Sequence, residues 1–215
     1  KSGGIIPNLK NPQLFSEKMQ WLKLYYRDSN MSIVADKYRV RQFVLEKGYG
    51  ETLNEILYIF DNVEQIDLSA LPDKFVIKAN HGSGWNLIVN DKSKVNWFWW
   101  RKILKSWMKH NIFWNGREWI YENIKPVLVC EKYIEDDSGY LIDYKFHCFN
   151  GEPKYIQANN GRGMKYHAQN FYDLNWNFLS FGKDLEPLED IIINKPSQLE
   201  NMILMAKDYS KEFPY

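Results

Sequence analysis

Phe75-Val76-Ile77-Lys78-Ala79-Asn80-His81-Gly82-Ser83-Gly84-Trp85-Asn86-Leu87-Ile88-Val89 reads as a strand, a Gly-rich turn and a second strand, with a lysine at the inner end of the first strand. A glycine turn lets backbone N–H groups crowd around an anion. A lysine beside it adds the kind of point charge that phosphates attract. The turn returns directly into Leu87-Ile88-Val89, so it is not the strand–loop–helix of a P-loop or a dinucleotide fingerprint. A hairpin flap over phosphate is the sharper reading; an ordinary surface hairpin is the plainer one.

Upstream of the hairpin the patterning is helical. Ser16 is placed to cap a first helix carrying Met19, Leu22, Tyr25 and Tyr26 on one face, with Phe15 as its hydrophobic staple. A second helix is expected from about Ile33 to Lys47, closed by Gly48. Leu57-Tyr58-Ile59-Phe60 reads as a short strand. Downstream, Ser93 to Asn111 reads as one long Trp- and Lys-rich helix. Strand signals then dominate: Val127–Tyr133, Tyr144–Phe149, Lys154–Gln157 and Asn170–Asp173. Asn150-Gly151 is a strong hairpin turn, and Asn175-Trp176-Asn177 looks like another. Ser197 with Glu200 forms a capping box for a last helix. Helices first, then an antiparallel β-rich body, then a helix is an α+β pattern rather than alternating βαβ.

The formal net charge of +1 over 215 residues argues against a nucleic-acid partner held by a basic face. No apolar run approaches the roughly 20 residues that span a bilayer. Lys1-Ser2-Gly3-Gly4 is followed by no apolar signal-peptide core; without a starting Met, the sequence is expected to be trimmed or partly seen. Cys130 and Cys148, the only cysteines, sit in apolar runs and read as core thiols of a reducing, cytoplasmic compartment, with a cross-strand disulfide as the other possibility. Six tryptophans crowd Trp97 to Trp119, a segment that fits an interface, a glycan platform or a core equally well.

Three further features bear on chemistry. Glu131-Lys132-Tyr133-Ile134 ends an apolar strand and leads into the acidic turn Glu135-Asp136-Asp137; such a hinge can hydrogen-bond an adenine edge while a carboxylate holds a ribose, or it is simply a solvated turn. Lys145, in Asp143-Tyr144-Lys145-Phe146, alternates against apolar neighbours, facing a cleft or snorkelling from an edge. Arg162 and His167 lie in or beside a polar Gly-rich loop able to clamp an anion, although such loops are commonly just loops. No nucleophile elbow and no metal-binding His pair is present.

These pieces stand in the order of the ATP-grasp superfamily. More closely, the chain resembles the TupA-like ATP-grasp proteins of bacterial surface-polysaccharide clusters. The matching blocks run from Asn11-Pro12-Gln13 through Trp21-Leu22-Lys23-Leu24-Tyr25, then Ala35-Asp36-Lys37-Tyr38-Arg39-Val40-Arg41, to Leu71-Pro72-Asp73-Lys74-Phe75-Val76-Ile77-Lys78 and His81-Gly82-Ser83-Gly84. They continue with Arg117-Glu118-Trp119, Asn123-Ile124-Lys125-Pro126, Glu131-Lys132-Tyr133, Asp143-Tyr144-Lys145-Phe146, Phe149-Asn150-Gly151-Glu152-Pro153-Lys154 and Asn170-Phe171-Tyr172-Asp173.

The resemblance implies a helical N-terminal region (1–73), a small lobe with the flap and the Trp-rich helices (74–130), and a larger lobe (131–215). It implies that Lys37 and Lys78 contact the phosphates of ATP and that His81, Gly82, Ser83 and Gly84 cover them. Glu131, Lys132, Tyr133 and Ile134 would hold adenine, with Asp137 or Glu135 near the ribose. Lys145 would face phosphate, and Arg162 and His167 would meet substrate. Ala168-Gln169 stands where the family pattern has a basic pair. The Mg²⁺ ligands are expected on two further strands beyond residue 215, so this stretch alone is expected to be inactive and its C-terminal sheet incomplete.

The implied activity is an ATP-dependent carboxylate–amine ligation through an acyl phosphate, joining a uronic acid to an amino acid or amino sugar in teichuronic acid, capsule or similar biosynthesis. Peripheral association with polysaccharide-assembly proteins goes with that setting. A glycosyltransferase of such a cluster and a non-catalytic nucleotide- or glycan-binding module are the competing readings.

Overall fold

A computed structural model of the chain describes residues 6–135, 141–160, 168–182 and 193–215. The chain forms two compact units: residues 1–43 with 53–133, and residues 44–52 with 134–215. The architecture is α+β, with two four-stranded antiparallel sheets among the described residues. No helix among these residues is long and apolar enough to cross a membrane.

The first unit opens with α1 (Phe15–Tyr25) and α2 (Ser29–Ala35), followed by the start of α3 (Val40–Glu46). Its sheet is built from β1 (Ile56–Phe60), β2 (Phe75–Ala79), β3 (Asn86–Val89) and β4 (Leu128–Lys132), in the order β1-β4-β2-β3. Between β3 and β4 lie α4 (Trp97–Lys109) and the short α5 (Phe113–Gly116). Strand alternation puts Phe75, Ile77 and Ala79 of β2 into a core with Leu128 and Cys130, all fully buried. Each large apolar side chain of this kind stabilises the unit by about 2–3 kcal/mol. Helix α4 closes the core with Leu104, Trp97, Trp100 and Trp107. The Trp-rich segment thus divides: those tryptophans face the core, whereas Trp99 and Trp114 are exposed.

The second unit carries β5 (Asp143–Phe149), β6 (Glu152–Asn160), β7 (Ala168–Tyr172) and β8 (Phe178–Leu179) as a meander, followed by α6 (Leu199–Ser210). β5 and β6 join through Asn150 (φ 49°) and Gly151 (φ 79°), a two-residue turn with both residues left-handed, as the Asn-Gly pair predicts. One face of the sheet is apolar, with Ala158, Tyr172 and Ile193 under Tyr144, Trp176 and Phe178.

Several expected elements are corrected. The helix expected from Ile33 to Lys47 is two helices, because the buried Asp36 carboxylate accepts the N–H groups of Tyr38 (2.8 Å) and Arg39 (3.2 Å) and restarts the chain as α3. Ser16 does not cap α1; it lies within the helix. Glu17 turns back instead and accepts from the N–H groups of Asn8, Gln13 and Leu14 at 2.8–3.0 Å. Phe15 is the first helical residue, not a staple. The helix expected from Ser93 starts at Trp97, where Asn96 accepts from Trp99 N–H at 3.1 Å. Ser197 forms no cap on α6, whose N-cap is Gln198. Cys130 and Cys148 are free thiols, and burial pushes Cys130 up to about 12.

Candidate functional site

In the first unit the outer face of β2 and β4, the turn after β2 and the break between α2 and α3 come together. Lys78 leaves β2 on the face opposite Phe75, Ile77 and Ala79, and its Nζ pairs with Glu131 Oε2 at 2.6 Å. Glu131 is buried, and its Oε2 also accepts from Asn54 Nδ2 at 3.3 Å. Lys37 follows Asp36 in the helix break, so the break itself delivers it. Its N–H donates to Asn80 O at 3.2 Å, and its Nζ donates to Ala79 O at 3.2 Å and to Gly82 O. Burial, and then the neighbouring Lys78 cation, push its pKa down, against the pull of Asp36 and Glu131. Two mutually repelling lysines at the root of a glycine turn form a field that a polyanion relieves.

The turn itself has a buried root and an exposed tip. His81 and Gly82 are buried, while Ser83 and Gly84 are exposed. Gly84 needs its glycine for φ +74°. Gly82 needs its own for space, since a Cβ there would sit within 3.0 Å of three atoms of the Trp85 indole. No hydrogen bond runs from the N–H groups of His81, Gly82, Ser83 or Gly84 to another described residue. Consecutive N–H groups of this kind are the donors of an anion nest.

His81 turns its ring inward. Nε2 stands 3.0 Å from Trp107 O and 3.1 Å from His110 O, at the C-terminal turn of α4, and Nδ1 is 3.1 Å from Asn80 Oδ1. Burial lowers its pKa, with a smaller push from Lys37, while the two carbonyls pull the other way. The ring is therefore a fastening between the flap root and α4.

Asn80, Asp36 and Asn54 escaped the sequence reading. Asn80 Nδ2 donates to Asp36 Oδ1 and to Lys125 O, both at 3.0 Å, and its Oδ1 accepts from Val127 N–H at 2.8 Å. The available signal was positional: a polar amide between a buried strand and a glycine turn, and an aspartate directly before Lys37.

In the segment 131–134, Glu131, Lys132 and Tyr133 belong to the first unit and Ile134 to the second. Lys132 N–H donates to Glu55 O at 3.0 Å and Lys132 O accepts from Asn54 Nδ2 at 2.8 Å, so its backbone is engaged. Tyr133 is half-buried beneath Lys74, and Ile134 is exposed.

Lys145 belongs to the second unit. Its Nζ bonds Asp143 Oδ2 on a sheet face shared with Gln157 and Asn159. That face carries a buried amide chain: Gln157 Nε2 and Gln169 Nε2 both donate to Asn159 Oδ1, at 3.0 and 3.3 Å. Ala168 and Gln169 are buried on β7. Arg162, His167, Asp136 and Asp137 lie outside the described residues. Among the described residues no group of three or more His, Cys, Asp or Glu side chains could hold a metal ion. The lysines and flap amides do fit a nucleotide polyphosphate.

The family model described as TupA-like ATPgrasp matches residues 17–215. No curated protein and no solved structure matches the chain. With the family match running from α1 to the last residue, over both sheets and the lysine-flanked flap, the chain belongs to the TupA-like ATP-grasp family and is an ATP-grasp-type enzyme.

Proposed function

We propose that the protein is an ATP-dependent carboxylate–amine ligase of surface-polysaccharide biosynthesis. The observation that carries the nucleotide part is the pairing of Lys37 and Lys78 with the unbonded amides of His81 to Gly84. These groups would grip and orient the polyphosphate, and positioning with electrostatic stabilisation is what phosphoryl transfer asks of a protein. A carboxylate oxygen attacks the γ-phosphorus and ADP leaves. An amine nitrogen then attacks the acyl carbon, phosphate leaves, and an amide is formed. The family setting supports a uronic acid as the carboxylate and an amino acid or amino sugar as the amine. Lys145 would face the phosphates, and Arg162 and His167 would meet the acceptor. Glu131 to Ile134 would hold adenine, with the Tyr133 backbone, which bonds no other described residue, as the candidate edge.

The test is a thermal-shift titration with Mg-ATP and with UDP-sugars, followed by ADP-release assays over carboxylate and amine pairs. ATP should raise the melting temperature, because ligand bound only to the folded state must do so. Lys78→Ala should weaken ATP binding by about 10- to 100-fold, the usual worth of a charge-assisted contact. A shift with UDP-sugars alone would overturn the ligase in favour of glycosyl transfer. ATP binding with no ADP release for any pair, assayed on the full-length gene product, would make it a binding module.

A further inference from the structure

Helix α4 uses one face to close the core, with Leu104 fully buried and Trp97, Trp100, Trp107 and Met108 packed beside it. The opposite face is unusual for solvent. Phe98 is 74% exposed and Trp99 52% exposed, although neither is needed inside. Phe98, Lys102, Lys105 and Lys109 follow one another at the spacing that aligns side chains along one side of a helix. The helix contains no carboxylate. Lys102 stacks its Nζ over the Phe98 ring at 4.1 Å, and neither it nor Lys109 has a carboxylate partner among the described residues. Lys105 pairs with the exposed Glu64 at 2.5 Å, a contact that solvent and salt weaken. Lys102, Lys105, Ser106, Lys109 and His110 line an open depression of about 430 Å³.

We propose that this face of α4 docks on an anionic phospholipid bilayer. The lysines and the serine hydroxyl match phosphate headgroups in charge and hydrogen bonding. Phe98 carries no polar atom, and Trp99 combines a broad apolar ring with one N–H. A bilayer surface offers both environments in sequence, an anionic layer with hydrocarbon directly beneath it. A soluble polyanion would reward the lysines and leave Phe98 without a role. The contact is peripheral, and it stands independently of the ligase reading.

The experiment is co-sedimentation with vesicles of phosphatidylcholine mixed with phosphatidylglycerol, and with vesicles of phosphatidylcholine alone. The expected result is binding to the mixed vesicles only, weakened by salt. A Lys102→Glu, Lys109→Glu double variant should reduce partitioning by about tenfold or more, and a Phe98→Ser, Trp99→Ser variant should also reduce it. These positions are exposed, so circular dichroism and thermal melting should stay at wild-type values; a heparin column provides the soluble-polyanion control. Absence of binding to the mixed vesicles would overturn the proposal, as would binding that neither variant weakens. Binding lost in the lysine variant but unchanged in the aromatic variant, matched by heparin retention, would replace the bilayer with a soluble polyanion.

Discussion

Asn80 uses both ends of its amide, donating to Asp36 and Lys125 O while accepting from Val127 N–H. Replacing it by alanine would leave several buried groups unpaired, and Asn80→Ala is expected to cost about 2–4 kcal/mol, measured by urea unfolding. His81 ties the pH response to the same corner. Its folded pKa lies below the ordinary 6.5, so the unfolded chain binds the proton more readily. Its contribution to stability is therefore present above pH 6.5 and is lost as pH falls from there through the folded value. A His81→Gln variant should show a flatter loss of stability on that acid side, and an unchanged slope would refute the assignment. The strand, glycine turn and strand around Lys78 were legible in the sequence because their signals are local. The bonds from the Asn80 side chain to Asp36, Lys125 and Val127 were not, since those residues lie 44 to 47 positions away in the chain.

At the scale of elements, the hairpin and the turn residues followed from local rules, whereas helix starts did not. Asn150-Gly151 specifies the β5–β6 turn by its demand for two positive φ angles. Gly151 is also pressed against α6, and a Cβ there would stand 3.0 Å from Lys211 Cα. Gly151→Ala thus meets both backbone strain and a steric contact, and is expected to destabilise by about 1–3 kcal/mol in thermal unfolding. The division of α2 from α3 was hidden because its apolar stripe continues across the break. A single buried carboxylate, Asp36, overrides that continuity. In α1 the long-range reach of Glu17 to Asn8 likewise outranks the nearer Ser16.

For the whole molecule, the route of the chain matters more than its composition. Residues 44–52 belong to the second unit although they sit between segments of the first. There the Tyr49 hydroxyl bonds Asp208 Oδ2 at 2.5 Å, its ring meets Tyr209 edge-on, and Lys47 pairs with Glu212 at 2.7 Å. A fragment of residues 134–215 should accordingly give a poorly dispersed amide NMR spectrum, and a peptide of residues 44–52 added in trans should sharpen it. A well-dispersed spectrum from the fragment alone would show that the inserted segment is dispensable. The α+β class could be read from the order of signals along the chain. The insertion could not, because nothing local in residues 44–52 announces a partner some 160 positions away.

Trp85, at the end of the flap, and Trp107, on α4, hold their indole planes 3° apart with centroids at 6.2 Å. Two parallel indoles at that separation are coupled chromophores, and their coupling depends steeply on distance and angle. The protein therefore carries an unlabelled optical gauge: the part of the exciton signal in circular dichroism that Trp85→Phe removes, leaving the Trp99–Trp100–Trp107 contacts within α4, would report displacement of the flap from the helix beneath it.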